Sequence, residues 1–141
     1  MEIRSLTDAE YDAVVDLWKR AGLPFKPRGR DSREHLSNEL SNNPDLFIGA
    51  YEDGQLVGVI VGTDDGRKGW INRLAVIPEH RRKGVARALI ESCEEALKKR
   101  GRRIICTLVE DNLESLELFK KVGYLKHDDI FYLSKREDDD V

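Results

Sequence analysis

The chain has 141 residues and a formal net charge of −3 at pH 7, so it has the size of one domain and lacks the basic excess of most nucleic-acid-binding proteins. Hydrophobic residues make up 40% of the sequence, yet no apolar run approaches the roughly 18 residues of a membrane span, and the start shows no signal-peptide pattern. We therefore expect a cytoplasmic protein with no nucleic-acid or membrane partner.

The remaining composition predicts a single domain without a metal. Cys93 and Cys106 lie in apolar-patterned segments, and neither they nor the three histidines show metal-ligand spacing, so we expect reduced, packed thiols and no metal site. We expect residues 1–135 to form one domain and the acidic tail, residues 136–141, to be disordered.

The first half of the chain predicts two helices and then an antiparallel meander. Residues 2–6 read as a short strand, and Thr7 with Glu10 forms a capping box for a helix that ends at Gly22. After the second helix the period changes from helical spacing to that of strands, and the connecting turns are too short for crossovers. The three predicted strands span residues 46–51, 56–62 and 70–77.

A basic loop with two prolines, residues 23–30, joins the two helices. It is either a plain connector or a lid over a site, and an exposed Phe25 within it is a candidate substrate contact. Asp31 or Ser32 caps the second helix, which ends before Pro44.

The second half of the chain alternates helices and strands. An amphipathic helix follows the meander, and the apolar run at residues 104–109 predicts a buried strand parallel to the one before that helix. A further helix runs from Asn112 to a stop at Gly123. Residues 124–126 and 130–133 predict a last pair of strands.

The basic turn between the third meander strand and its helix predicts an anion site. Such a turn presents unpaired backbone N–H groups and the positive end of the helix dipole to one point. Gly84 and the small Ala86 leave room for close approach of a ligand to the backbone. The alternative, a solvated turn that only caps a helix, is disfavoured because three consecutive cations, Arg81 to Lys83, oppose the helix dipole.

Two motifs resemble those of the GCN5-related N-acetyltransferase (GNAT) family. Residues 81–86, Arg-Arg-Lys-Gly-Val-Ala, are similar to the family's acyl-CoA motif Arg/Gln-x-x-Gly-x-Gly/Ala, and Asn112-x-x-Ser115-x-x-Leu118-Phe119 resembles its second signature. The resemblance covers nearly the whole chain in the right order. It implies the GNAT fold, an α/β (α+β) domain whose mixed, mostly antiparallel sheet of about six or seven strands splays at the cofactor cleft between about four helices.

The resemblance implies an acetyl-CoA-dependent N-acetyltransferase that passes an acetyl group to a primary amine by direct attack in a ternary complex. The turn amides would hold the pyrophosphate, and the pantetheine arm would pair with the backbone of Leu74 and Val76. The Val76 amide is also the candidate donor to the oxyanion. The implied cofactor-binding residues are Leu74, Ala75, Val76, Arg81, Arg82, Lys83, Gly84, Val85, Ala86, Arg87, Asn112 and Ser115.

The sequence departs from the family at the positions of the usual acid and base. Phe119 stands where many members have a general-acid tyrosine, and Thr107 stands where some have a glutamate base. Tyr132 is the remaining candidate acid, although it also fits an ordinary strand aromatic. Glu110 and Asp111 are candidates to hold the ammonium or relay its proton, or simply to solvate a turn.

The acceptor side leaves several alternatives open. Asn72 and Arg73, polar residues on an otherwise apolar strand, are candidates to face the acceptor together with Phe25. The acceptor is a small molecule or a peptide or protein amine, and a homodimer is a further expectation because a short last turn leaves one wall of the cleft low. The missing acid and base favour a second function, a non-catalytic or regulatory coenzyme A-binding module.

Overall fold

A computed structural model describes residues 1–110 and 112–140 as a mixed sheet flanked by helices. The sheet follows chain order; the first four strands are antiparallel to their neighbours, and the fifth is parallel to the fourth. The strands are β1 Glu2–Ser5, β2 Phe47–Glu52, β3 Gln55–Asp64, β4 Gly69–Val76 and β5 Ile105–Thr107. The helices are α1 Tyr11–Ala21, α2 Arg33–Asn42, α3 Val85–Lys99 and α4 Leu113–Lys121.

The predicted helices, the meander and the parallel last pairing are confirmed, but the strand within residues 104–109 is shorter and more exposed than predicted, and the predicted last pair of strands does not form. Residues 104–109 contain only the three-residue β5, and its flanks at Ile104 and Leu108 are exposed. Residues 124–126 and 130–133 form no strand, so the described sheet has five strands where six or seven were expected. An edge strand of three residues offers too few backbone groups to pair with another strand, and Phe131 and Leu133 stay exposed.

The core forms where α3 packs closely on the sheet. The buried face of α3 carries Val85, Leu89, Ile90, Cys93 and Leu97. Glycines on β3 and β4 allow this approach: a Cβ atom at Gly58 would lie 2.9 Å from Val85 Cγ1, and one at Gly69 would lie 2.6 Å from Leu97 Cδ1. Cys93 is free and fully buried, and burial raises the pKa of its thiol to about 12.

The acidic tail lies against the basic loop. Lys26 Nζ donates to the Asp139 carbonyl at 2.6 Å, and Arg28 pairs with the Asp140 carboxylate at 2.5 Å. The predicted disorder of the tail and the domain limit at residue 135 both stay predictions.

Within residues 1–110 and 112–140, the structure contains no helix long and apolar enough to span a membrane. The same residues include no group of three or more His, Cys, Asp or Glu side chains arranged to hold a metal ion.

The close packing of α3 on β3 predicts a cost for enlarging Gly58. We expect Gly58→Val to lower the free energy of unfolding by about 1–3 kcal/mol, because the added methyl groups would meet Val85 and Leu89. Urea unfolding followed by circular dichroism measures this. The control Gln55→Val adds a β-branched residue at the exposed start of the same strand; an equal loss in both variants would contradict the packing explanation.

Candidate active site

The basic turn is built from two residues in the left-handed region. Arg82 has φ +63° and Gly84 has φ +81°, and Gly84 caps α3. The first helical hydrogen bond runs from the Ala88 N–H to the Gly84 carbonyl at 3.1 Å, so the N–H groups of residues 85–87 precede the bonds of the helix. Successive N–H groups in such a turn form a concavity for an anion.

The space above this concavity is open. A Cβ atom built at Gly84 would meet nothing within 4 Å. Arg82, Lys83 and Arg87 are not buried and add positive charge around the turn. The turn therefore offers the hydrogen-bond donors, the positive charge and the space that a pyrophosphate needs.

The Arg81 side chain holds the turn in place. Its Nε donates to the Val76 carbonyl at 3.1 Å, and its Nη2 donates to the Ala21 carbonyl at 3.3 Å. These bonds join the turn to the end of β4 and to the end of α1. Arg81 thus shapes the anion site through the backbone, a contribution that the sequence motif did not reveal.

The sheet opens beside the turn because β4 is much longer than its parallel partner. β5 pairs only with Gly69, Trp70 and Ile71, and the Thr107 hydroxyl closes the pairing by donating to the Ile71 carbonyl at 2.9 Å. Beyond Ile71, β4 continues to Val76 with no strand on this side among the residues that the structure describes. This is the splay that the family resemblance implied.

A β-bulge decides which backbone groups face the open edge. Val61 pairs with Arg73 and Gly62 with Ile71, so Asn72 is an extra residue in β4. Before the bulge, the Gly69 N–H bonds toward β5; after it, the Ile77 N–H bonds to Val57 on the opposite side. Since neighbouring residues alternate in direction, the groups of residues 74 and 76 point into the cleft. Their N–H groups and the Leu74 carbonyl therefore face the cleft without a partner strand among the described residues, whereas the Val76 carbonyl already accepts from Arg81 Nε.

A buried ion pair fixes the loop between α1 and α2 to this part of β4. Asp31 is only 2% exposed, and its Oδ2 accepts from Arg73 Nη2 at 2.9 Å and from the Lys26 N–H at 2.8 Å. Arg73 also donates to the Pro24 carbonyl at 2.8 Å and lies 4.5 Å from the centre of the Trp18 ring. Burial lowers the pKa of the Arg73 guanidinium, and Asp31 opposes that shift.

Comparison with known proteins decides the family. Residues 11–124 match the model described as the Acetyltransferase (GNAT) family. The chain belongs to this GNAT family. It is 35% identical over 137 residues to Acetyltransferase SG1711 of Sodalis glossinidius, a match that covers 96% of this chain and 95% of that protein. It is 36% identical over 138 residues to Acetyltransferase plu1384 of Photorhabdus laumondii, with the same coverage.

Solved GNAT structures have the same fold. The PaiA N-acetyltransferase of Thermoplasma acidophilum, in complex with coenzyme A, matches with a TM-score of 0.79 at 24% identity, covering 90% of this chain and 91% of that one. The aminoglycoside 6'-N-acetyltransferase AAC(6')-IG of Acinetobacter haemolyticus matches with a TM-score of 0.76 at 22% identity, covering 98% and 100%. The predicted family and fold are confirmed, and with them the prediction that this GNAT protein is an acetyltransferase.

The second GNAT signature has mainly structural contacts here. Asn112 caps α4, because its side-chain oxygen accepts from the Ser115 N–H at 2.9 Å. Phe119 is buried and meets Tyr124 edge to face, with ring centres 5.1 Å apart. Tyr124 donates to Glu94, and burial raises the pKa of its hydroxyl. Tyr124 is thus a packing residue.

The candidate acid, Tyr132, and the candidate proton relay, Glu110, are both exposed. Tyr132 is 57% exposed, Glu110 is exposed, and neither forms a hydrogen bond or ion pair with a residue that the structure describes. Asp111 lies outside the described residues. Tyr132 was expected on a strand and instead lies in the irregular segment before the tail.

The acceptor candidates are engaged within the protein. Phe25 was expected to be exposed, but it is half-buried against the core beneath Lys19. The Asn72 amide donates to the Thr63 hydroxyl at 2.7 Å.

The sequence analysis did not identify Asp31 as a site residue, because an acidic residue just before a helix is usually interpreted as its cap. In the structure, Ser32 caps α2. An arginine on an apolar strand was the available signal that a buried acid was needed.

The buried Asp31–Arg73 pair leads to a prediction about the free energy of unfolding. Arg73→Met leaves a buried carboxylate without its partner, and we expect it to lower the free energy of unfolding by about 3–5 kcal/mol. Asp31→Leu combined with Arg73→Met should recover most of that loss. Lys99→Met, which breaks an exposed pair with Glu95, is the control and should cost less than about 1 kcal/mol. Urea unfolding measures all three; equal costs for Arg73→Met and the control would contradict the buried-pair explanation.

Proposed function

We propose that this GNAT acetyltransferase uses acetyl-CoA as its donor and transfers the acetyl group to a primary amine. One observation carries the proposal: the N–H concavity at residues 82–87 lies at the end of β4, whose open edge presents residues 74 and 76. The fold-related PaiA structure holds coenzyme A, and the donor set found here is suited to the same ligand.

The proposed donor site binds the two parts of acetyl-CoA, the pyrophosphate and the pantetheine arm, through different contacts. Backbone amides of residues 84–87 bind the pyrophosphate, while Arg82, Lys83 and Arg87 supply charge around it. Leu74 and Val76 pair with the pantetheine arm, with Ala75 between them, and Asn112 and Ser115 support the arm from α4. When bound, acetyl-CoA supplies a thioester and a thiol leaving group.

The protein's part in the reaction is to place the amine and to stabilise charge. The Val76 N–H is the proposed donor to the oxyanion. An alkyl ammonium with a pKa near 10.4 is about 0.04% neutral at pH 7, whereas a peptide α-amine with a pKa near 8 is roughly one-tenth neutral. The α-amine therefore needs less help from a base. Tyr132 and Glu110 remain the proposed acid and proton relay, and Asn72, Arg73 and Phe25 the proposed acceptor wall.

A second candidate function is a coenzyme A-binding module without catalysis. It is favoured by one observation, that the two positions of the usual acid and base are committed to structure: Phe119 is buried, and the Thr107 hydroxyl bonds to Ile71. Donor binding without acetyl transfer to any amine would support this function. A homodimer and a cytoplasmic location also remain proposals. The former is supported by β5, the edge strand of the sheet that the described residues form, and by the exposed Phe131 and Leu133.

The donor site is tested by enlarging Gly84. We expect Gly84→Trp to abolish acetyl-CoA binding in calorimetry, because its side chain would fill the space above the turn. Gly101→Trp is a matched control, since Gly101 also has positive φ and open space at its Cβ, at the opposite end of α3. If the wild type fails to bind at ~1 mM acetyl-CoA, where affinities weaker than roughly −4 kcal/mol escape detection, the proposed function is wrong.

The proposed acid is tested by removing one hydroxyl. We expect Tyr132→Phe to lower kcat by about 10²-fold or more without changing acetyl-CoA affinity, since a general acid acts on the chemical step alone. Thiol release with a panel of amines measures kcat, and calorimetry measures the affinity. Glu110→Gln is compared in the same assay. An unchanged kcat would remove the substituted residue from the mechanism.

A further inference from the structure

The loop between α1 and α2, residues 22–32, is bonded to β4, and the helix end before it is bonded to the anion-binding turn. Arg81 joins the end of α1 to the anion-binding turn through the Ala21 carbonyl. Arg73 holds the Pro24 carbonyl and Asp31 beside the β-bulge. The loop is thereby held beside the bulge of β4, the strand whose open edge is proposed to bind the donor.

The outward side chains of this loop are cationic. Lys26, Arg28 and Arg30 lie within five residues of one another, and the side chains of Arg28 and Arg30 are 78% and 47% exposed. The one acid of the loop, Asp31, is buried and its carboxylate is taken up by Arg73, with Arg30 at the longer distance of 3.8 Å. The loop therefore presents a surplus of positive charge, here called the basic loop surface and defined as Lys26, Arg28 and Arg30.

An acidic peptide segment already lies on this surface. The tail contains four consecutive acids, Glu137 to Asp140. Lys26 Nζ donates to the backbone carbonyl of Asp139, and Arg28 pairs with the carboxylate of Asp140. The surface thus contacts both features of an acidic peptide, its backbone and its carboxylates.

We propose that the basic loop surface selects acceptors that carry carboxylates close to the reacting amine, and that the tail competes with them for it. This inference rests on the proposed amine acetylation and narrows it to a class of acceptor. Polycationic amines are disfavoured, because each would bring like charge against Lys26 and Arg28. A free acidic amino acid and an acidic peptide share the recognised chemistry, and a peptide adds the backbone contact that Lys26 makes to the tail.

Binding of short peptides tests the surface without requiring turnover. Three peptides with a free amino-terminal alanine carry three glutamates, three glutamines or three arginines before a tyrosine amide, and glutamate is the small-molecule arm. Each is titrated by calorimetry into the full chain in the presence of coenzyme A. We expect the glutamate peptide to bind about tenfold more tightly than the arginine peptide at low salt. The difference should shrink as salt screens the charges.

Charge variants of the full chain locate the effect. Lys26→Glu with Arg28→Glu should weaken the glutamate peptide about tenfold and favour the arginine peptide. Asp138→Asn, Asp139→Asn and Asp140→Asn together should tighten the glutamate peptide about threefold by weakening the competing tail. Arg67→Glu, an exposed charge reversal in the β3–β4 turn, is the matched control and should leave all three peptides unchanged.

The outcomes separate this inference from the proposed function. Equal binding of the three peptides, or an equal response of the control, would overturn the inference. Acetyl transfer that ignores acceptor charge would also overturn it and leave the proposed function standing. Acidic-peptide binding without acetyl transfer to any amine would support the basic loop surface and overturn the proposed function. Binding of glutamate as tight as that of the glutamate peptide would refute the backbone contact.

Discussion

One extra residue in β4 decides which backbone groups of this chain are free for a ligand. Without the bulge at Asn72, the alternation set by Gly69 and Ile71 would continue, and residues 73 and 75 would point into the cleft. With it, the pairing to β5 ends and the groups that face the cleft belong to Leu74 and Val76, of which the Val76 carbonyl is taken by Arg81. The short β5 is needed for the same result, because a longer parallel partner would cover those groups.

Two arginines connect this strand to its surroundings, and each does so through neutral or buried acceptors. Arg81 bonds to two carbonyls, and Arg73 bonds to one carbonyl and to buried Asp31. A buried pair is a weak source of net stability, since the loss of hydration offsets much of the attraction. Its effect here is on position: Arg73, in β4, bonds to two groups of the loop, and Arg81, in the turn, bonds to the end of β4 and to the end of α1.

The sequence predicted what depends on local patterning and missed what depends on distant partners. The motif at residues 81–86 carries its own conformation, since Gly84 adopts a left-handed φ and caps α3, so the strand–turn–helix geometry could be predicted from the sequence. The antiparallel meander could be predicted from the strand-type spacing of apolar residues and from turns too short for crossovers. Asp31 could not be assigned, because its partner lies 42 positions away. The last strand pair failed because alternating apolar residues at 130–133 say nothing about whether a sheet edge is long enough to receive them.

The absence of a base at the expected position and the charge of the loop have one consequence in common. A cation near a bound amine disfavours its ammonium form and lowers its pKa, as any like charge does. Acceptors drawn in through their carboxylates would therefore meet cations that hold the carboxylate and oppose protonation of the amine. A carboxylate base at Thr107 would act in the opposite direction on the resting amine, by stabilising its ammonium form before accepting a proton. The acceptor's own carboxylates stabilise the ammonium form, so the basic loop surface favours the neutral amine only where its positive charge exceeds the charge of the carboxylates that it holds. An α-amine with a pKa near 8 then needs the smallest shift.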